Sequence, residues 1–496
     1  MRFDKDWPTV NPRIDKVLQN REKRSDKILQ FGGGNFLRGY FDWMIQVLNE
    51  QTDFNGNIVV VKPTKRGDYE DLRLQHGLYH TTINGIKDGV LISERQLIDC
   101  ISKVVHPYLA WEDFLLTAEI SSIQYIVSNT TESGIKFSSA DLVSQNPPHE
   151  FPAKVTRWLH HRFMFFEGAK EKGCIFLPCE LIEDNGLVLQ ECILQYIASW
   201  NLGSDFQNWV KSNNVFCNTL VDRIVPGFPE DRRGEIYEDF GIVDQLEVSV
   251  EPYHIFVIQS PLDLNVKLPF GETDLNVVFT DDMTKYRQLK VRILNGLHTS
   301  MVPVGYLMGI NEVRETIDDT VIGNFLDELL YEEILPSLDY PKDFLKSYAN
   351  DILDRFRNPY IHHRLISIAL NSISKFRTRV LPSLLSYHKV KKKLPNRIVF
   401  VLASYIWFYR GKTESDIIPL NDSQEVIDLF SNLWRAYHTQ DIQLNQLVET
   451  VLSDEQLWEF DLMTIKGLPM LIQKYLQSFI DNDYSNGSVK KVAINM

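Results

Sequence analysis

Cysteine is scarce in this chain, with five in 496 residues, at Cys100, Cys174, Cys179, Cys192 and Cys217. No two form a C-x-x-C pair, and an odd number does not suit a secreted disulfide scaffold, so reduced and mostly buried thiols are expected. Spacing for a bound metal is missing too. His76 and His80 lie four apart without the glutamate of an H-E-x-x-H helix, while His160-His161 and His362-His363 are adjacent pairs. Neither suits tetrahedral ligation, and no metal is expected. Long apolar runs are absent: the stretch from Ile398 to Tyr409 is the longest, well short of the roughly 20 residues of a membrane span. It reads as a buried helix, and no membrane partner is expected. The opening residues, Met1-Arg2-Phe3-Asp4-Lys5-Asp6, carry no apolar segment of signal-peptide type, so the expected address is the cytoplasm. Basic residues are outnumbered, 52 Lys and Arg against 66 Asp and Glu, for a net charge of −14. That balance argues against a nucleic-acid partner, because the phosphate backbone rewards clustered cations. It leaves room for an anionic metabolite in a locally basic pocket.

What is present is an ordinary globular composition, 44% hydrophobic and 24% charged, in a chain too long for one core. The first half alternates short apolar runs with helical stretches. Lys27–Phe31, Asn57–Val61, Tyr125–Val127, Cys174–Leu177 and His254–Ile258 read as strands of a parallel sheet covered on both faces, with helices around Ala153–Phe166 and Val188–Trp200. The Thr81–Gly85 region supplies a small hairpin or extension. Past Asp281 apolar residues recur at helical spacing, through Leu289–Val304, Val321–Leu330 and Leu365–Val380. Tyr387–Pro395 reads as an exposed polar connector, and Asp481–Ser488 as a surface loop. The fold class is therefore α/β: a Rossmann-like nucleotide-binding domain over residues 25–274, then a mainly α-helical domain over residues 275–496. No coiled coil or interface motif fixes the oligomeric state.

The glycine cluster Gly32-Gly33-Gly34-Asn35-Phe36-Leu37-Arg38-Gly39 follows the first strand and opens a helix. Gly32 and Gly34 permit the tight turn that brings backbone amides, with Asn35 and Phe36, against a pyrophosphate. Leu37 stands where G-x-G-x-x-G has its third glycine. Arg38 is positioned to contact a phosphate or shape the pocket. The second strand ends at Val61 without the acid that usually receives the adenosine ribose, and Lys62, Lys65 and Arg66 lie nearby. Residue chemistry leaves NADP open, unless the loop folds back and Asp68 serves the ribose. Asn129 and Thr130, after the third apolar run, border the nicotinamide side of a cleft or form a polar turn.

A second cluster carries proton chemistry. Lys290, Asn295 and His298 lie on one predicted helix in the order Lys-x4-Asn-x2-His. Oxidising a secondary alcohol needs a base for the hydroxyl proton while hydride leaves carbon. A lysine serves when desolvation and neighbouring positive charge bring it from its reference value of about 10.4 towards working pH. Asn295 donates to a developing oxyanion without adding charge, and His298 holds the reacting hydroxyl.

These motifs resemble the long-chain mannitol dehydrogenase family, also called the polyol-specific long-chain dehydrogenases. Lys290-x4-Asn295-x2-His298 is similar to its catalytic signature. Gln30–Gly39, Val127–Glu132, Cys217–Pro226 and Glu251–His254 fit the same group, and the likeness covers about residues 25 to 480. The resemblance implies NAD as cofactor, a small sugar-acid substrate, and Lys290 as general acid and base. It also implies an oxyanion site from Asn295 and an asparagine of the first domain, placed at Asn185 before Gly186. Asp222 and Arg223 are expected behind the site, or as a structural ion pair. Lys375 and Arg379, four apart on one helix face, are expected to meet the substrate carboxylate, or to form a solvated basic face. Neighbouring sugar acids and uncharged polyols remain alternative substrates, and a catalytically silent nucleotide-binding sensor or scaffold is the alternative of another class.

Overall fold

The computed structural model describes residues 12–130, 134–230, 234, 236–237, 242–413 and 417–481. Two compact units emerge. The first runs to Asn84 and resumes over Leu91–Thr284, and the second joins Gly85–Val90 to the chain from Lys285 onward.

The first unit is built on six parallel strands: β1 (Ser25–Phe31), β2 (Gly56–Val61), β3 (Ile101–Val105), β4 (Tyr125–Ser128), β5 (Ile175–Pro178) and β6 (Val215–Phe216). Their order is β3-β2-β1-β4-β5-β6. The alternation of side chains explains why β1 and β2 read as continuous apolar runs. Ile28, Ile58 and Val60 enter one core, with Met44 and Leu48 of the helix Phe41–Gln51. Leu29, Phe31, Val59 and Val61 enter another, with Trp158 and Ile193 of the helices Phe151–Phe165 and Asn185–Ser199. A strand buried on both faces has no polar side to alternate with. Phe31 is level with Val61 on one side and Ser128 on the other, so the chain reverses its direction of winding where β1 ends.

The run His254–Ile258 does not extend this sheet. Its strand, Ile255–Gln259, is central in a separate three-stranded sheet, antiparallel to Asn218–Asp222 and parallel to Val277–Thr280. No helix lies between Asp222 and Ile255 among the described residues, and a parallel neighbour needs such a crossover. The Thr81–Gly85 region lies in the strand Tyr79–Lys87, which forms a hairpin with Val90–Ile98 and pairs in parallel with Val248–Val250. All five cysteines are free and buried.

The second unit is helical around one apolar core. Every residue from Ile398 to Phe408 of the helix Asn396–Phe408 is buried, as an all-round apolar sequence requires. The expected connector Tyr387–Pro395 is helix as far as Lys391, because Leu381–Lys391 continues through it. Tyr387 is a buried anchor, lysines favour helix, and the turn comes at Lys392 with φ +56°. The stretch Asp481–Ser488 falls outside the described residues beyond Asp481. Among the described residues three turns are π-helical, Lys290–Asn295, Leu329–Ile334 and Phe376–Val380. No helix among the described residues is long and apolar enough to cross a membrane.

Candidate active site

The glycine turn leaves β1 with Gly32 at φ +119°, where a Cβ would stand 3.2 Å from Leu37 Cδ1 and 3.3 Å from the Asn129 carbonyl oxygen. The Gly33 amide donates to the Tyr69 hydroxyl at 2.8 Å. Gly34 is exposed, and a Cβ there would find no heavy atom within 4 Å. The turn is therefore pinned at two glycines and open at the third, with the unsatisfied amides of a helix start behind it. Leu37, in place of a third glycine, is buried in the core against Gly32. Asn35 is exposed, and its Oδ1 accepts from Arg38 Nη2 at 2.7 Å. Arg38 itself is buried and donates from Nη1 to the Leu246 carbonyl at 2.6 Å, so it braces the turn from behind. Phe36 stacks on Tyr40, with centroids 4.8 Å apart.

The end of β4 is organised by Glu180, a residue the sequence reading missed. Its carboxylate accepts from Ser128 Oγ at 3.0 Å and from the Thr130 amide and hydroxyl at 2.9 and 3.0 Å. Burial pushes this carboxyl up from its ordinary range, against the pull of those hydrogen bonds. Asn129 Nδ2 donates to the Cys179 carbonyl at 2.7 Å. Thr131, Glu132 and Ser133, part of the matched Val127–Glu132 stretch and its neighbour, lie outside the described residues. An acid directly after an apolar strand was the available signal for Glu180.

Asn185 opens the helix that follows β5 and is 1% exposed. Its Nδ2 donates to the carbonyls of Pro178, Glu180 and Thr219 at 3.0, 3.1 and 3.2 Å, and its Oδ1 accepts from the Thr219 amide at 2.9 Å. The side chain thus ties the end of β5 to the strand Asn218–Asp222. Arg223, beside the buried Asp222, donates to the carbonyls of Glu251 and Gly39, both at 2.9 Å, and stacks 4.0 Å over Trp43. Burial brings its guanidinium down to about 9.

Lys290, Asn295, His298, Lys375 and Arg379 all belong to the second unit. Lys290 and Asn295 are the two ends of one π-turn, where the α-helical rows assumed from spacing do not apply. Such turns re-aim side chains and recur at functional sites. Arg292 within the turn donates to Ser383 Oγ at 2.7 Å and Ser337 Oγ at 3.0 Å, which fixes it against two neighbouring segments. At Gly296 a Cβ would lie 3.5 Å from the Arg379 carbonyl oxygen. The residue after Asn295 thus lies in ordinary contact distance of the third π-turn, Phe376–Val380.

His298 is half-buried as a residue, but its Nε2 is shielded and has no hydrogen-bond partner among the described residues. The ring packs 4.4 Å from Phe356 and 4.9 Å from His363. Burial, followed by the charges of His363, Arg355, Arg379 and Lys375, holds His298 well below its ordinary 6.5. Lys375 Nζ donates to the Ile368 carbonyl at 2.8 Å, and burial and then the Arg379 charge push Lys375 down, against the pull of Asp422. Arg379 is half-buried with no hydrogen-bond acceptor for its guanidinium among the described residues. Arg355, Phe356 and His363 were not singled out from sequence. They come from a segment far along the chain, and only folding sets them around His298. No group of three or more His, Cys, Asp and Glu among the described residues is placed to hold a metal ion.

A parallel sheet in this strand order, with an open glycine turn where the winding reverses, defines a Rossmann-type dinucleotide-binding protein, here joined to a helical unit. Residues 26–269 match the Mannitol dehydrogenase Rossmann domain, and residues 282–480 match the Mannitol dehydrogenase C-terminal domain. The chain belongs to the mannitol dehydrogenase family. It is 44% identical over 458 residues to an altronate oxidoreductase of Yersinia enterocolitica, covering 92% of this chain and 95% of that one. An altronate oxidoreductase of Pectobacterium atrosepticum is 42% identical over 462 residues, covering 92% and 95%. Among solved structures, D-sorbitol dehydrogenase in substrate-free form superposes with a TM-score of 0.78 at 20% identity, over 95% of this chain and 96% of that one. Mannitol 2-dehydrogenase of Pseudomonas fluorescens, in a ternary complex with NAD and D-mannitol, gives 0.63 at 20% identity, over 95% of each.

Proposed function

We propose that this chain is an NAD-dependent oxidoreductase that reversibly reduces D-tagaturonate to D-altronate. The observation that carries the reading is the 44% identity to an altronate oxidoreductase over nearly the full length of both chains. Its five free, buried thiols suit a reducing compartment, and we place the activity in the cytoplasm.

The first unit fits a dinucleotide. Gly32 and Gly34 would let the pyrophosphate approach the backbone, Asn35 and Phe36 would present the first helical amides, Arg38 would hold their turn, and Asn129 and Thr130 would border the nicotinamide. Bound there, the cofactor supplies the hydride to the ketone carbon, or takes it back from the alcohol. The chain's own residues do the rest. Lys290 gives a proton to the ketone oxygen in reduction and removes the hydroxyl proton in oxidation. Asn295 donates to the oxygen as negative charge develops on it. Asn185 is the second donor implied by family likeness, although its amide must give up one of its present acceptors to serve. His298 Nε2, buried without a partner, has an unmet hydrogen bond that the substrate hydroxyl satisfies. Lys375 and Arg379 take the carboxylate, and Arg379 is the stronger anchor because its guanidinium has no acceptor among the described residues. Asp222 and Arg223 support the first unit from behind.

The test is NADH oxidation with tagaturonate, fructuronate and fructose offered side by side to the full chain. Tagaturonate is expected to give the highest kcat/KM. A clear preference for fructose would overturn the carboxylate assignment, and a preference for fructuronate would move the activity to its sister substrate.

A further inference from the structure

The loop that leaves β2 has an organisation that dinucleotide binding in general does not require. Lys62 is buried, and its ammonium donates to Thr64 Oγ1 and to the Arg66 carbonyl, both at 2.7 Å. It also lies 5.1 Å over the ring of Tyr69, whose hydroxyl receives the Gly33 amide. The loop is therefore curled around its own lysine and fastened to the glycine turn. Gly67, at φ +70°, closes the curl. The outcome is that Lys65 and Arg66 stand exposed, with no hydrogen-bond or ion-pair partner for either side-chain cation among the described residues.

The single acid in this loop is differently engaged. Asp68 Oδ1 accepts from the Glu70 amide at 3.2 Å, at the start of the helix Glu70–Leu74. No other carboxylate lies between Val61 and Asp68. At this place in a Rossmann fold an acid accepts from the ribose 2′-hydroxyl and repels a 2′-phosphate, whereas an arginine accommodates the phosphate. Discrimination against a phosphate needs such a repulsive group; the loop has one exposed acid, Asp68, whose charge is felt by Lys62, and ahead of it two cations whose side chains have no partner among the described residues.

We propose that Lys65 and Arg66, held outward by Lys62, form a receptor for the 2′-phosphate of NADP(H), so that the protein takes NADPH as well as NADH. This rests on the dinucleotide-binding reading of the first unit and is independent of the sugar-acid substrate.

The test measures binding and turnover together on the full chain. Nucleotide fluorescence titrations with NADPH and NADH are run on the wild type and on a Lys65→Ala/Arg66→Ala variant, then repeated as kcat/KM with tagaturonate. The wild type is expected to bind the two nucleotides within about tenfold of each other, and the variant to lower the NADPH-to-NADH affinity ratio by about tenfold or more, the effect of losing charge-assisted contacts. Wild-type NADPH binding roughly a thousandfold weaker than NADH would overturn the proposal, as would an equal loss for both nucleotides in the variant. If neither nucleotide supports tagaturonate reduction but the selective binding loss is seen, the receptor stands and the substrate reading falls.

Discussion

The imidazoles of His298 and His363 meet edge to face, with centroids 4.9 Å apart and planes at 74°. Phe356 covers His298 at 4.4 Å, and His298 Nε2 is shielded from water. Burial lowers both histidines, and the charges of Arg355, Arg379 and Lys375 lower His298 further. The pair is neutral in the folded protein at neutral pH. The consequence for stability has a definite sign. The unfolded chain takes up a proton at His298 near its ordinary value, which the folded chain does not, so stability is lost as pH falls below about 6.5. His298→Gln keeps a polar side chain without that proton. Its Tm is expected to fall less than the wild type's between about pH 7.5 and about pH 5.5. Parallel curves for the two proteins would show that His298 does not titrate differently on unfolding.

Lys290 is placed at one end of a π-turn and Asn295 at the other. If Lys290 moves the proton, Lys290→Ala is expected to lower kcat by roughly 10²- to 10⁴-fold, the usual contribution of a positioned acid and base. NADH affinity, read by fluorescence titration, should stay within about twofold because binding and proton transfer are separate contributions. A variant with near-normal kcat would remove Lys290 from the mechanism.

Arg379 and Lys375 are distinguishable by what else they hold. Lys375 already donates to the Ile368 carbonyl, whereas the Arg379 guanidinium has no acceptor among the described residues. Arg379→Ala should therefore raise KM for tagaturonate by about 10- to 100-fold, more than Lys375→Ala, through loss of a charge-assisted bond. Any residual turnover of fructose should be little affected, because fructose has no carboxylate. Equal losses on charged and neutral substrates would indicate that Arg379 supports the fold of the π-turn Phe376–Val380 instead.

How far the sequence carried differs between the units, for physical reasons. The parallel sheet was legible because strands buried on both faces leave unbroken runs such as Asn57–Val61. Lys290, Asn295 and His298 were legible as a motif, but their arrangement was not, because spacing alone does not distinguish an α-turn from the π-turn the chain adopts. Glu180, Arg355 and His363 were overlooked for a different reason. Each acts through partners distant in the chain, as when Glu180 binds Thr130 fifty positions away, and such pairings leave no local period. Asn185 was legible only through likeness, and its four-way engagement was invisible beforehand.

That engagement makes Asn185 informative. Asn185→Ala leaves the Thr219 amide and the Pro178 and Glu180 carbonyls to find other partners in a buried place. A loss on the order of 2–4 kcal/mol in unfolding free energy is expected, measurable by denaturant titration. If Asn185 also donates to the oxyanion, the folded variant should lose about 100-fold or more in kcat with NADH affinity retained. A stability loss without that kcat effect would leave Asn295 as the sole amide donor.

Asp42 is fully buried, and its Oδ1 has no hydrogen-bond partner among the described residues. Its Oδ2 accepts from the Tyr79 hydroxyl at 3.0 Å, while Gln30, which also bonds to Asp42, donates to the Gly32 carbonyl at 3.0 Å. Burial outweighs those bonds and raises Asp42 from 3.8 to about 7. A raised carboxyl keeps its proton in the folded chain and loses it on unfolding. Its contribution is therefore complete below the unfolded value and disappears as pH rises through the folded one. Asp42→Asn imitates the protonated form and removes the titration. Wild type and variant should be nearly equal in stability at about pH 3–4, and the variant should become the more stable by on the order of 1–3 kcal/mol by about pH 8. Denaturant titrations across that range decide the matter, since a gap that stays constant with pH would mean that Asp42 ionises alike in the folded and unfolded chains.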